Sequence, residues 1–146
     1  MKRVFLLVIV LSFILPSLSL AQTEEEKILQ TVDQFFRAMT NRDTLATRNV
    51  LVSEGQFLSI RETTLDIQIK KTPHNDYINS LAEAGPDIYE TIEDPLVLIQ
   101  NRIAIVWAKY KFYKNGERSH GGVDAFSLLK TASGWKIASI IYTIEK

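Results

Sequence analysis

His120 and Asp124 stand four residues apart in the run Ser119-His120-Gly121-Gly122-Val123-Asp124-Ala125-Phe126. On a strand they share a parity, so both side chains point to one face, and an acid or base pair is the first chemistry to consider. Distance argues against direct contact, because four strand residues span roughly 13 Å unless Gly121-Gly122 forms a bulge. The two are better read as separate polar points along a groove. Asp124, flanked by Val123, Ala125 and Phe126, has the most apolar context of any carboxylate in the chain. Desolvation there would raise its pKa toward that of a pocket base. The structural alternative is that Asp124 accepts from a neighbouring strand, and a turn at Ser133-Gly134 would place Thr143 opposite it.

His120 lies near the hairpin end Asn115-Gly116 and reads as a rim histidine, with ligand contact as its functional alternative. Trp107 and Tyr110 either line a pocket or face a partner, and turn length decides between these. A two-residue turn at Asn115-Gly116 puts Trp107 opposite Asp124, whereas a three-residue turn with a bulge puts Val106 there. Phe126 joins the candidate ligand-binding residues with Arg61 and Glu90, two charges amid β-rich segments that either enter a cavity or stay solvated at its rim. His74 and His120 lack ligand spacing and a nearby carboxylate cluster, so no metal is expected, nor any cofactor. Glycine-rich phosphate loops, a GxSxG elbow and an HExxH pair are all missing. Lys109, Lys111, Lys114 and Arg118 interleave with aromatic residues, a pattern read as a solvated hairpin rather than a nucleic-acid platform.

The elements that position these residues begin at Thr23, which with Glu26 has capping-box spacing. Ile28, Leu29, Val32, Phe35, Phe36 and Met39 then recur on one helical face, predicting a helix from about Glu24 to Thr40. Asp43 caps a short second helix to about Asn49, and Glu54-Gly55 marks a turn before a strand over Gln56 to Ile60. A second strand is expected over Thr64 to Ile69. Thr72-Pro73 opens a third helix whose stripe is Tyr77, Ile78, Leu81 and Ala82, ending at Gly85-Pro86. From Ile88 onward, β-branched and aromatic runs broken by Asp94-Pro95, Gln100-Asn101, Asn115-Gly116 and Ser133-Gly134 predict an antiparallel meander of about four strands. These long strands carry apolar residues at both parities, so both sheet faces should be covered. Three helices cover one, and a second copy of the sheet is the simplest cover for the other, which predicts a homodimer through the outer face.

The chain has 146 residues, 17 basic and 17 acidic, and no cysteine. That is a one-domain globular composition without disulfides, zinc thiolates or a thiol nucleophile. Lys2-Arg3, the apolar run Val4 to Leu15 and the ending Ser19-Leu20-Ala21 follow the grammar of a secretory signal peptide over residues 1–21. The run is shorter than the ~20 residues of a spanning helix. Cleavage after Ala21 would leave residues 22–146 as one secreted or periplasmic domain with a formal charge of minus two. No stable membrane insertion is expected after cleavage.

The element order, with Ala104-Ile105-Val106-Trp107-Ala108-Lys109-Tyr110, the His120 to Phe126 segment and Gly134-Trp135-Lys136-Ile137, resembles the nuclear transport factor 2-like superfamily. The nearer likeness is to its exported bacterial lumazine-binding-like or uncharacterised branch. The resemblance implies an α+β cone: three N-terminal helices packed in a curved antiparallel sheet, open at one end into a pocket and dimerising through the sheet. The expected function is noncatalytic binding of a small apolar or aromatic molecule. The alternatives are an isomerase, cyclase or dehydratase-type enzyme, with Asp124 as general base and His120 or Tyr110 orienting the substrate, and a dimerisation or assembly module.

Overall fold

The computed structural model describes residues 22–146. The signal peptide expected over residues 1–21 lies outside the described residues.

The capping box forms: Thr23 Oγ1 accepts from the Glu26 amide at 3.1 Å, and Glu26 Oε2 accepts from the Thr23 amide at 2.8 Å. It opens α1 (Glu24–Thr40), whose stripe Ile28, Val32, Phe35, Phe36 and Met39 is buried. Glu24 ties the start of this helix to the far hairpin, because its Oε2 accepts from Lys130 Nζ at 2.6 Å and Trp135 Nε1 at 3.0 Å. Asp43 Oδ1 accepts from the Ala46 amide at 2.9 Å and caps α2 (Thr44–Val50). Then come β1 (Leu51–Glu62), β2 (Ile67–Pro73), α3 (His74–Leu81), β3 (Ile88–Gln100), β4 (Ile103–Lys114), β5 (Glu117–Thr131) and β6 (Gly134–Thr143).

The succession of elements is the one read from the residues, but the expected cone is corrected in three respects. The helices are not all N-terminal, since α3 lies between β2 and β3. The sheet is mixed rather than antiparallel: the order is β2-β1-β6-β5-β4-β3, and the neighbours β1 and β6 run parallel. It is also open, with β2 and β3 as separate edges, and neither closes on itself nor curls strongly into a cone. The physical reason for the mixed pairing is that the meander returns β6 alongside β1, so both strands point the same way.

Several boundaries also move. Glu54-Gly55 is not a turn but lies within β1, where the β1/β6 register slips between Leu51 and Gln56. Asp94-Pro95 is likewise absorbed into β3 as an irregularity between Glu93 and Leu96. Pro73, not Thr72, stands at the N-cap of α3, with no side-chain cap bond.

The helices cover one face of the sheet. On β4 that face is Ala104, Val106, Ala108 and Tyr110, all buried. Phe126 of β5 is fully buried there, edge-on to Phe36 of α1 at 5.9 Å between ring centroids. The opposite face leaves Leu96, Leu98, Ile103, Trp107, Leu129 and Ile141 exposed.

Candidate functional site

The register of β4 against β5 decides which side chains meet. Lys114 pairs with Glu117, so Asn115-Gly116 is a two-residue turn. Between Phe112 and Tyr113 the register then slips by one at Ser119. Ala108, neither Trp107 nor Val106, therefore stands opposite Asp124. On the other side the turn is Ala132-Ser133, not Ser133-Gly134, and a one-residue slip between Ser127 and Leu128 then sets Tyr142, rather than Thr143, opposite Asp124.

The consequence is a row of Ala108, Asp124 and Tyr142 on the helix-covered face. A cavity of about 260 Å³ opens beside Asp124 and Tyr142. Its walls come from every layer: Phe35 and Met39 of α1, Phe57 of β1, Tyr77 of α3, Glu90 of β3 and Tyr142 of β6. Tyr110, Phe112, His120 and Asp124, with Ile88, Ile140 and Ile144, complete it, and Ile144 also borders the outer hollow at its mouth.

Two carboxyls share this apolar space. Asp124 is 3% exposed, and burial pushes its pKa up to about 6, against a lowering effect of its hydrogen bond with Glu90. Glu90 is pushed well above the carboxylate range, first by burial, then by the charge of Asp124 and by their hydrogen bond. Such a pair holds one proton between its members, since two adjacent carboxylates in low dielectric repel. No donor reaches Asp124 Oδ2, and the buried Tyr77 hydroxyl has no partner either. Asp124 is therefore not the cross-strand acceptor of the structural alternative.

The tyrosines differ in their engagement. Tyr110 donates its hydroxyl to the Thr143 carbonyl at 2.6 Å and is held there as a wall. Burial raises the hydroxyl pKa of Tyr77, Tyr110 and Tyr142, so all three are neutral donors. Thr143 is fixed in turn by accepting the Val123 amide on its Oγ1 at 2.9 Å. Gly122 makes this close approach possible: a Cβ there would lie 2.4 Å from Thr143 Oγ1.

His120 stacks on Phe112 at 4.8 Å between centroids, and its Nδ1 lies 3.1 Å from Ser119 Oγ. It is half-buried in the wall between the cavity and an outer hollow formed with Arg61, Glu62, Ser119 and Glu145. Burial, then the charge of Arg61, lowers its pKa. His120 and Asp124 remain two points on one face, as expected from their spacing.

The remaining sequence candidates separate. Glu90 enters the cavity. Arg61 is exposed and stands at the mouth rather than in the cavity. Trp107 does not line the cavity, because the slip at Ser119 puts Ala108 on the inner face and turns Trp107 outward, 43% exposed. Phe126 is also removed from the ligand-binding set, being sealed against Phe36 in the core. Lys109 and Lys111 point to the face opposite Tyr110 and Phe112, and on their own face they stand between Trp107 and Tyr113, whose ring is stacked on Tyr89. Sequence reasoning missed Tyr77 and Tyr142 as site residues. Tyr77 was visible only as one member of the stripe on the third helix, with no sign that its hydroxyl would be left free.

A larger hollow of about 530 Å³ at the opposite end of the sheet is open and lined by Arg48, Glu54, Asn75 and Lys136. Its one buried titratable group is His74, whose Nδ1 donates to the Val52 carbonyl at 2.7 Å. Among the described residues, no cluster of three or more metal-ligating side chains occurs. No described helix is long and apolar enough to cross a membrane.

No protein-family model and no curated protein matches the sequence. Solved structures do. A nuclear transport factor 2-like protein from Cytophaga hutchinsonii superposes with a TM-score of 0.71 at 12% identity, over 84% of this chain and 99% of that one. A second such protein, with a cystatin-like fold, from Novosphingobium aromaticivorans gives 0.67 at 10% identity, over 83% and 81%. A superfamily protein from Salmonella enterica gives 0.65 at 12% identity, over 84% and 92%. The chain has the nuclear transport factor 2-like fold. Likeness at such identities carries the architecture and no activity, so function must be argued from the cavity. Within the nuclear transport factor 2-like frame, that cavity lies between the sheet and helices α1 and α3.

Proposed function

We propose that the chain is an exported protein that binds a small, largely apolar or aromatic molecule in the cavity around Asp124, without chemistry of its own. The observation that carries this reading is a ring-lined cavity with few polar groups and two unmet ones, Asp124 Oδ2 and the Tyr77 hydroxyl. A volume of about 260 Å³ falls just below the roughly 300–1,000 Å³ of drug-sized pockets. About 150 Å³ suffices for benzene, so the ligand is a one-ring or fused two-ring molecule. Export rests on the signal grammar of residues 1–21, and the exposed outer face supports a sheet-to-sheet homodimer as the working form.

Native mass spectrometry of protein purified from its own host tests the binding reading. A small-molecule adduct should accompany the wild type and be lost from Ile144→Trp, which fills the mouth. Protein that emerges bare, and takes up no compound from a panel of single-ring molecules, counts against it.

One observation favours a second reading, an isomerase, cyclase or dehydratase type of enzyme. A carboxyl with pKa about 6 beside a proton-sharing partner suits a general base working near neutral pH. In that case Asp124→Asn abolishes turnover of a bound substrate while ligand uptake persists.

A further inference from the structure

The cavity has an imbalance of charge that identifies the class of its ligand. It is lined by two carboxyls, Glu90 and Asp124, and by no lysine or arginine. Its one basic wall residue, His120, is stacked on Phe112 and kept neutral by burial and by Arg61. Every other group facing the pair is neutral: Tyr77 from α3, Tyr110 from β4, Tyr142 from β6, and the rings and thioether of Phe35, Met39 and Phe57 from α1 and β1. The nearby cations are engaged elsewhere or stand outside. Arg42 donates to the carbonyls of Leu81, Glu83 and Pro86, Arg61 stands at the mouth beside Glu145, and Arg37 of α1, which shares an outer hollow with Glu90, is bound to Asp33 at 2.8 Å.

A carboxyl pair holding one proton carries one negative charge. Here that charge is buried without a protein cation, although burial of a charge is costly unless it is paired. Asp124 is nine-tenths buried and more, its Oδ2 takes no hydrogen bond, and rings surround it. Electron-rich ring faces also attract a cation. On the footing that the cavity binds a small molecule, we propose that its ligand is a protonated amine attached to a single ring. Its N–H groups donate to the Asp124 and Glu90 carboxyls, and its ring lies among Phe35, Phe57 and Tyr77. The ligand's charge cancels that of the pair, and no proton need leave.

Three phenylethyl probes of similar shape and different charge test this: 2-phenylethylammonium, 2-phenylethanol and the slightly larger 3-phenylpropanoate, titrated calorimetrically into the wild type at pH 7.5. The amine should bind at least about tenfold more tightly than the alcohol, a difference of ~1.4 kcal/mol, with the propanoate weakest. At pH 5 the amine is still protonated while Asp124 is not ionised, so the preference should shrink. Asp124→Asn, checked for a cooperative melt, should lose the preference and keep the alcohol, whereas Glu90→Gln leaves the Asp124 charge in place and should keep the preference. The fall of the preference between pH 7.5 and pH 5 decides alone should Asp124→Asn not fold. Alcohol or propanoate binding as tightly as the amine, or a preference that survives Asp124→Asn, overturns the amine while leaving the pocket reading standing. Absence of binding by all three at millimolar concentration overturns both.

Discussion

At the scale of single residues, the carboxyl pair inverts the usual relation between acid and stability. Most carboxylates have a depressed pKa in the folded state and lose stability in acid. Asp124 and Glu90 are raised by burial, so the folded state holds protons that the unfolded chain releases at lower pH. Their contribution is therefore most favourable below the unfolded carboxylate pKa; that of Asp124 is lost as pH rises through about 6, and that of Glu90 as pH rises well above the usual carboxylate range. His74 and His120 act in the opposite sense: burial lowers their pKa, so the stability they lend is present at high pH and lost as pH falls. Glu24, held down to about 2 first by Lys130 and then by Lys27 and Trp135, stays ionised throughout this window. The clean readout is thus the difference between Asp124→Asn and wild type, in which the histidines and Glu24 cancel. The variant should gain melting temperature on the wild type as pH rises from 5 to 8, by roughly 5 °C at the upper end. Melting curves followed by circular dichroism check it, and a difference that stays flat or narrows across that range refutes it.

At the scale of elements, the irregularities in the strands decide the site. Gly55 shows why. Its position in β1 is pressed by His74 of α3 and by the backbone of β6: an added Cβ would lie 2.2 Å from His74 Cε1 and 2.4 Å from the Ala138 carbonyl oxygen. Neither neighbour has room to yield, since His74 is fully buried and bonded to Val52. Gly55→Ala should therefore destabilise the protein by about 1–3 kcal/mol. Urea denaturation measures this, and a loss within about 0.5 kcal/mol, the ordinary range for a surface change, would contradict the close packing. In the sequence Glu54-Gly55 looks like a turn, because glycine marks turns and bulges alike and only the tertiary neighbour tells them apart. The same limit governs Asp124. The capping box of α1, the Asn115-Gly116 turn and the shared face of His120 and Asp124 were legible, being set by local chemistry. The one-residue slips at Ser119 and between Ser127 and Leu128 carry no local signature, yet each flips the parity of the residues beyond it. Hence Trp107 and Tyr110, three residues apart and so on opposite faces, could not be assigned inward or outward by inspection, and Ala108 and Tyr142 could not be placed beside Asp124. That Glu90 and Asp124 share a proton depends on β3 and β5 meeting across β4, a relation between strands that no spacing encodes.

At the scale of the whole molecule, the outer sheet face is the largest feature without an internal partner. Pairing aligns Leu96, Trp107, Ala125, Ile141 and Leu58 in one row across β3, β4, β5, β6 and β1. Five strands at about 4.8 Å spacing make this row roughly 19 Å wide. Leu98, Ile103 and Leu129 extend it toward one end, while Lys109 and Lys111 on the same face border it at the other. Monomers rarely leave apolar patches larger than a few hundred Å² open to water, and a stable interface needs about 800 Å² from each partner. A face of this shape fits a second copy of itself, because a two-fold axis through the row sets apolar residues on apolar residues and leaves the lysines at the rim. Residues 22–146 should then elute in light-scattering chromatography at twice the chain mass at micromolar concentration. Trp107→Lys places an unpaired charge near the middle of the row and should give a monomer. Since Trp107 faces away from Asp124, that monomer should take up the cavity probes with unchanged affinity, which separates assembly from binding. A wild type that stays monomeric at about 100 μM, well above the micromolar range of specific interfaces, removes the dimer. Trp107→Lys that monomerises and also loses probe binding would instead show that the two faces of β4 and β5 are not independent, and that the second copy helps hold Asp124 and its row in place.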